Sequence, residues 1–328
     1  RMNMNIVPSQ FTKKVFKDVS YEKVDEKTNQ KIGVLKLLKP MEVLFEGVDT
    51  KIFKKTNEFS EDFVKEINQI EEKVVFLYTG HWLQGKLGQD RKDTGMLVKT
   101  FLETFKNRKN PPALLMKTSG ATFSVIDRNE IMTKLKDVKD TVKGKLPKVY
   151  VLHGDLRDEE INQLYNHPKV KSHITFTHGE GFGRPLLEAS LSEKPVIAPN
   201  WSGHTDFLSD KDAVMLPGSL NDVKKESFPK GMWIEGTKWF TVNYNYASKT
   251  MKDVFENYNK YIVKGKKLSI MNQSRFSLDK MTEKFEGILD KHLPKFVEQP
   301  KSVDLKLPKL KKVGKPKKIE LPKLKKVN

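Results

Sequence analysis

The residues best suited to chemistry in this 328-residue chain lie in one run, Gly179-Glu180-Gly181-Phe182-Gly183-Arg184-Pro185-Leu186-Leu187-Glu188. Its glycines let backbone approach a ligand closely, and Pro185 suits the first position of a helix. A loop that passes into a helix in this way presents open N–H groups and the positive end of the helix dipole. Both stabilise a diphosphate or a departing phosphate oxygen. Glu180 is expected just before that helix and Glu188 on its first turn.

The elements that must position this run follow from hydrophobic periodicity. Strand-like KVVFLYTG (Lys73 to Gly80) is followed by Leu97, Val98, Phe101, Leu102 and Phe105 at helix spacing. Then come ALLMK (Ala113 to Lys117), KVYVLHG (Lys148 to Gly154), a short helix with Ile161, Leu164 and Tyr165 inward, HITFTHG (His173 to Gly179) and KPVIAP (Lys194 to Pro199). Continuous apolar strands separated by helices predict an α/β fold, a parallel sheet with helices on both faces. Ligands of such sheets bind beyond the carboxyl ends of the strands, which selects the loops GHWLQGKLGQDRK, KTSG, HGDLRDEE and HGEGFGRP. After Ala247, Met251, Val254, Phe255 and Tyr258, then Phe276, Met281, Phe285, Ile288 and Leu289, mark closing helices.

Composition narrows the chemistry. Hydrophobic residues make up 37% of the chain and charged residues 31%, as in a globular domain with a wet surface. No cysteine is present, which removes disulfides, thiolate metal sites and cysteine nucleophiles, and the seven histidines show no ligand spacing. No run reaches the ~18 apolar residues of a membrane span, and the start RMNMNIVPSQF lacks the apolar region of a signal peptide. A cytoplasmic location, peripheral to a membrane surface at most, is the resulting expectation.

The net charge is +19, unevenly placed: residues 301–328 hold eleven lysines against Asp304 and Glu320, leaving +9 there and +10 for the rest. LPKLKKV occurs twice in that tail, at Leu307 to Val313 and Leu321 to Val327, with a proline in each copy that blocks a continuous helix. Two readings apply: a solvated, disordered extension, or docking to an acidic surface or nucleic acid.

The segment GEGFGRPLLEASLSEKPVIAPNWSGHTDFL closely resembles the most characteristic stretch of the retaining "group 1" glycosyltransferases, with glutamate, seven residues and glutamate ahead of a PVIA-like strand. The resemblance runs in order through VPSQF (Val7 to Phe11), EGVDTKIF (Glu46 to Phe53), FLYTG, DRKD, VLHGDLRDEEINQLY and SGHTDFL, and leaves out only the tail. It implies the nucleotide-sugar-binding C-terminal half of the GT-B fold and metal-independent, retaining transfer of a sugar from a donor such as a UDP- or GDP-sugar, with no cofactor. The acceptor would be a hydroxyl of a glycan, a lipid-linked sugar or a polymer.

By the same resemblance Glu180 sits against the transferred sugar as the catalytic-site carboxylate, orienting it rather than attacking, while Glu188 grips the ribose hydroxyls. Gly181, Phe182 and Gly183 belong to the donor contact. Arg91 and Lys92 look like the basic pair that neutralises the diphosphate, the alternative being a solvated surface pair. The family's arginine after the first-strand glycine is replaced by His81, and Lys117 is a candidate substitute. His153 and Gly154 match the turn near the base, with Leu156 as an apolar wall, or are ordinary strand-end structure.

VPSQF normally lies late in the acceptor-binding half. Residues 1–65 are therefore expected as a remnant of a second Rossmann-like domain and linker, 66–246 as the donor domain, 247–297 as closing helices that return toward the acceptor half and expose an apolar strip there, and 298–328 as the basic tail. The chain starts with Arg1, which reads as a fragment. Asp210-Lys211-Asp212 resembles a manganese-binding DxD pattern but falls where an exposed loop is expected, so no metal site is assigned. Trp233, Trp239, Phe240 and Tyr244 are expected as packing residues rather than a sugar-stacking platform. A module that binds nucleotide sugar without turnover, and a protein led by its basic tail to nucleic acid or another acidic polymer, are the competing functional classes.

Overall fold

Val75, Leu77, Ala113 and Leu115 enter one apolar cluster while Phe76, Tyr78, Leu114 and Met116 enter another. Two adjacent strands whose successive side chains all find apolar partners must be covered on both faces. A computed structural model describes residues 4–120, 122–227, 231 and 234–293. Trp233 and the basic tail at 301–328 lie outside the described residues.

The chain opens with β1 (Asn5–Val7), α1 (Gln10–Asp18), a hairpin of β2 (Ser20–Val24) and β3 (Lys31–Lys36), then β4 (Met41–Val43), which pairs in parallel with β1. After α2 (Glu61–Asn68) the α/β alternation begins: β5 (Val75–His81), α3 (Thr94–Phe105), β6 (Ala113–Ser119), α4 (Val125–Asp140), β7 (Val149–Leu152), α5 (Asp158–Asn166), β8 (Val170–Ile174), α6 (Arg184–Ser190), β9 (Val196–Pro199) and β10 (Val214–Leu216). A second hairpin, β11 (Gly218–Asp222) with β12 (Lys238–Val242), leads to α7 (Tyr244–Glu256), α8 (Tyr258–Phe276) and α9 (Leu278–His292).

The six strands from β5 to β10 form one parallel sheet in the order β10-β9-β8-β5-β6-β7. The chain builds outward from β5 through β6 to β7, then returns to lay β8 on the other side of β5. That reversal opens a crevice between the loops after β5 and β8, the usual ligand position in an open parallel sheet.

All five residues expected on the inner face of α3, from Leu97 to Phe105, are buried. The long helix α4 carries no comparable signal in the sequence. Its buried face is Asp127, Ile131, Leu135 and Val138, so one polar residue interrupts the apolar stripe.

The described residues up to His292 cluster into one compact unit. Within the amino-terminal segment β1, α1 and β4 make a β–α–β unit. The Gln10 N–H donates to the Asp206 carboxylate at 2.8 Å, and the Phe11 and Trp201 rings meet edge to face at 5.1 Å. At the end of α9, Lys291 donates to the Glu42 carboxylate at 2.6 Å and His292 pairs with it at 2.8 Å. Met281 and Ile288 are buried on α9 and Phe285 is exposed. Among the described residues no helix is long and apolar enough to cross a membrane.

Candidate functional site

The loop after β5 is shaped by Asp90. Its buried carboxylate accepts the N–H groups of Lys92 and Thr94, each at 3.2 Å, and so folds the tight turn that aims Arg91 and Lys92. The loop after β8 is shaped by its glycines. Gly183 caps α6 at φ 99°, a left-handed conformation that favours glycine. Gly203 is packed so closely beneath the loop that a Cβ there would lie 2.1 Å from the Gly181 carbonyl oxygen.

These loops meet although 88 residues separate Lys92 from Glu180. Lys92 Nζ donates to the Glu180 carboxylate, Arg91 lies 3.6 Å from its other oxygen, and the Arg91 guanidinium donates to the Gly179 carbonyl at 3.1 Å. Glu180 and Lys92 are largely buried, with side chains 13% and 12% exposed, while Arg91 reaches solvent. Burial pushes the Glu180 carboxyl up, but Lys92 and then Arg91 outweigh it and hold the group below the usual carboxylate range. Burial also lowers Lys92, opposed by Glu180. Glu180 is therefore ionised at neutral pH.

Glu188 has the opposite environment. It is buried on α6, salt-bridged to Arg184 at 2.9 Å and within 3.4 Å of the Tyr165 hydroxyl. Burial, only partly offset by Arg184, raises its carboxyl to about 7. Tyr165 continues the row to Thr79 at 3.3 Å, and Thr79 to His173 Nε2 at 2.7 Å, so a hydrogen-bonded line runs from Glu188 to the end of β5. Two carboxylates eight positions apart are thereby held in contrasting protonation regimes, as in sites that divide roles between acids.

Lys117, near the end of β6, donates to the Gly154 carbonyl at 2.7 Å and lies over the Phe123 ring. Burial lowers it, opposed by Asp155. Lys117, Gly154, the Arg91–Lys92 turn and Glu180 thus share the carboxyl edge of the sheet.

Several expected roles change. The His153 ring is hydrogen-bonded through Nε2 to Asp127 at 2.9 Å and its side chain is 6% exposed, so it serves the fold, leaving the backbone of the turn for any base. Phe182 is 1% exposed and packs against Phe45, Phe207 and Phe276, so only its backbone can face a donor. Leu156 packs partly buried against the core. Glu188 is the fifth residue of α6 and lies beyond its first turn, because the helix starts at Arg184 with Pro185 second. The helix start is also a poorer anion cradle than expected, since Pro185 has no N–H and the Leu186 N–H already donates to Gly183 at 2.9 Å.

Sequence reasoning missed Arg184, although its four-residue spacing from Glu188 on a helix is a legible pairing signal. It also missed Asp90, Thr79, His173 and Asp127, which carry no spacing signature. Trp239 stacks on His178 with ring centroids 4.0 Å apart, Phe240 on Trp201 at 5.6 Å, and the Tyr244 hydroxyl donates to Asp93 at 2.7 Å. Asp210 and Lys211 are exposed, and Asp212 lies near Lys267.

A cavity of about 570 Å³ opens beside this constellation, lined by Trp82, Leu83, Arg91, Lys134, His178, Gly179 and others. Its size suits a small ligand. Glu180, Lys92, Lys117 and Glu188 do not line it, so it adjoins the charged cluster without containing it.

No family model matches the chain, and none of the curated proteins matches it in sequence. Solved structures do match its fold. Sucrose-phosphate synthase from Thermosynechococcus elongatus is similar over 89% of this chain and 58% of that one, with a TM-score of 0.59 at 14% identity. A glycosyltransferase from Rickettsia africae ESF-5 is similar over 88% of this chain and 63% of that one, with 0.56 at 17% identity. HepE from Anabaena, in complex with UDP and glucose, is similar over 76% of this chain and 57% of that one, with 0.52 at 14% identity. The chain spans less than two thirds of each of these structures. The parallel sheet with helices on both faces is the arrangement of GT-B glycosyltransferases.

Proposed function

We propose that this chain provides the donor site of a glycosyltransferase that moves a sugar from a nucleoside-diphosphate sugar to a hydroxyl acceptor, with retention and without a metal ion. The observation that carries the reading is the buried Glu180 carboxylate held between Lys92 and Arg91 at the switch point of the parallel sheet. A diphosphate entering the crevice between the two loops competes for Arg91 and Lys92. These fixed cations neutralise the charge that builds on the leaving phosphate as the sugar C–O bond breaks, work that needs no bound metal.

Release from Lys92 frees Glu180 to accept hydroxyl hydrogens of the transferred sugar and to face the positive charge of an oxocarbenium-like state. Orientation of the sugar is its role; a covalent bond is not required. Glu188 accepts from the ribose hydroxyls, the Gly181-to-Gly183 backbone approaches the donor, Lys117 adds charge near the nucleotide, and the turn at Gly154 with Leu156 borders the base. The HepE complex contains UDP and glucose, a ligand pair of the same class. The acceptor is a hydroxyl of a glycan, a lipid-linked sugar or a polymer.

Calorimetric titration with UDP, GDP and their sugar conjugates, in chelator, tests this directly. One nucleotide should bind, and Glu188→Ala and the double variant Arg91→Ala, Lys92→Ala should each weaken it by about tenfold or more, since about 1.4 kcal/mol of lost charge-assisted bonding is tenfold in affinity. Binding that is absent, or that both variants leave unchanged, overturns the donor site.

A further inference from the structure

Three hydrogen bonds join the turn after β5 to the loop after β8. The His178 N–H donates to the Arg91 carbonyl at 3.0 Å, the Arg91 guanidinium to the Gly179 carbonyl at 3.1 Å, and Lys92 to Glu180. A fourth contact stands unfinished. Asp93 Oδ1 and His178 Nε2 face each other across 4.0 Å, both buried, and neither has a hydrogen-bond partner.

The other atoms of both side chains are committed. His178 Nδ1 lies 2.7 Å from the Phe240 carbonyl, which can only accept, so Nδ1 carries the hydrogen. Asp93 Oδ2 accepts from the Tyr244 hydroxyl at 2.7 Å. A neutral imidazole with Nδ1–H presents a lone pair at Nε2, and an ionised Asp93 presents another at Oδ1. Without a proton between them these two acceptors repel in a buried site, and with one proton they form a hydrogen bond.

Asp93 is also built unlike an ordinary helix cap. It precedes α3 at φ 50°, a left-handed conformation uncommon for residues other than glycine, yet its side chain makes no bond to the helix N–H groups. The carboxyl is spent on Tyr244 and turned toward His178 instead.

We propose that Asp93 and His178 share one proton and act together as positioning residues, clasping the Arg91–Lys92 turn to the Gly179–Glu180 loop. Burial raises the Asp93 carboxyl to about 8, with Tyr244 opposing and Asp90 on the same turn adding to the rise. Burial lowers His178 to about 4, opposed by the Phe240 carbonyl of β12, while Trp239 covers the ring face. Beyond Asp90 and Tyr244, the neighbouring charges are Arg91, Lys92 and Glu180 of the two clasped loops. Across neutral pH the pair therefore holds a single proton, resident on Asp93. Above about 8 the proton leaves, the two acceptors repel, and the basic pair is no longer held opposite Glu180. The consequence for ligand affinity rests on the donor-site reading; the shared proton does not.

The test uses nitrogen-15 NMR of His178, hydrogen exchange at its amide, and UDP titration, in the native protein and in Asp93→Asn. Asparagine offers an N–H to Nε2 at every pH and still accepts from Tyr244. His178 should show the neutral Nδ1–H form between pH 5 and 7.5 in the native protein. Its amide exchange, corrected for the intrinsic pH dependence, should quicken by about tenfold between pH 7 and 9, and UDP affinity should fall in parallel. Asp93→Asn should show neither change. A neutral Nε2–H form of His178, or an equal alkaline rise in Asp93→Asn, overturns the clasp. Should UDP bind neither protein while the NMR and exchange results hold, the clasp stands and the donor-site reading falls.

Discussion

At the residue scale, the two glutamates of the glycine-rich run differ by their surroundings alone. Glu180 faces Lys92 and Arg91 and is ionised, whereas Glu188 is buried among Tyr165 and the α6 core with one exposed arginine beside it. With its carboxyl raised to about 7, Glu188 changes charge in the neutral range. A carboxylate accepts both ribose hydroxyl hydrogens and a carboxylic acid does so poorly, so nucleotide affinity should rise by about fivefold from pH 6 to pH 7 as the ionised fraction grows. Titrations in which Glu188→Gln keeps that rise would reject the assignment. The spacing of the glutamates was legible in the sequence; their opposed protonation was not, because it depends on Lys92, Arg91 and Tyr165, brought in from other elements.

At the element scale, the site depends on how closely two successive loops of the sheet can stack. The loop after β9 passes beneath the loop after β8, and the Gly203 N–H donates to the Glu180 carbonyl at 3.0 Å. A Cβ at position 203 would meet the Gly181 carbonyl oxygen at 2.1 Å and that of Glu180 at 2.9 Å, backbone atoms that cannot rotate aside. Gly203→Ala should therefore cost about 2–3 kcal/mol, readable in urea unfolding, and should displace Glu180 enough to lower nucleotide affinity. An alanine variant of native stability and affinity would mean that the loops are less tightly stacked. The segment SGHTDFL carries this glycine, but the reason for it lies in a contact with residues about twenty positions earlier.

At the scale of the whole molecule, the described sheet carries buried histidines whose neutrality is a condition of folding. His173 is fully enclosed, its Nε2 bonded to Thr79, and burial with Lys92 nearby lowers it to about 3. An unfolded chain protonates that histidine near 6.5, so as the pH falls from 6.5 toward 3 the unfolded state binds the extra proton and stability declines. Above 6.5 neither state is charged there and the residue contributes no slope. Urea midpoints taken at intervals from pH 4 to 7 should fall less steeply with acidification in His173→Gln than in the native protein. Equal slopes would place the acid sensitivity elsewhere.

The sequence by itself determined the parallel α/β sheet, the order of its strands along the chain, and the loops that had to be inspected, because strand and helix periodicities are local properties of adjacent residues. It also pointed to Glu180, Glu188, Arg91 and Lys92. It did not reveal α4, whose buried face mixes Asp127 with three apolar residues, or the two hairpins. Nor did it show that His153 and Phe182 belong to packing. Only the tertiary structure decided that β8 returns to lie beside β5. That one reversal of strand order carries Glu180 across 88 residues to Lys92 and sets Asp93 opposite His178, and such contacts follow from sheet topology, which no local spacing encodes.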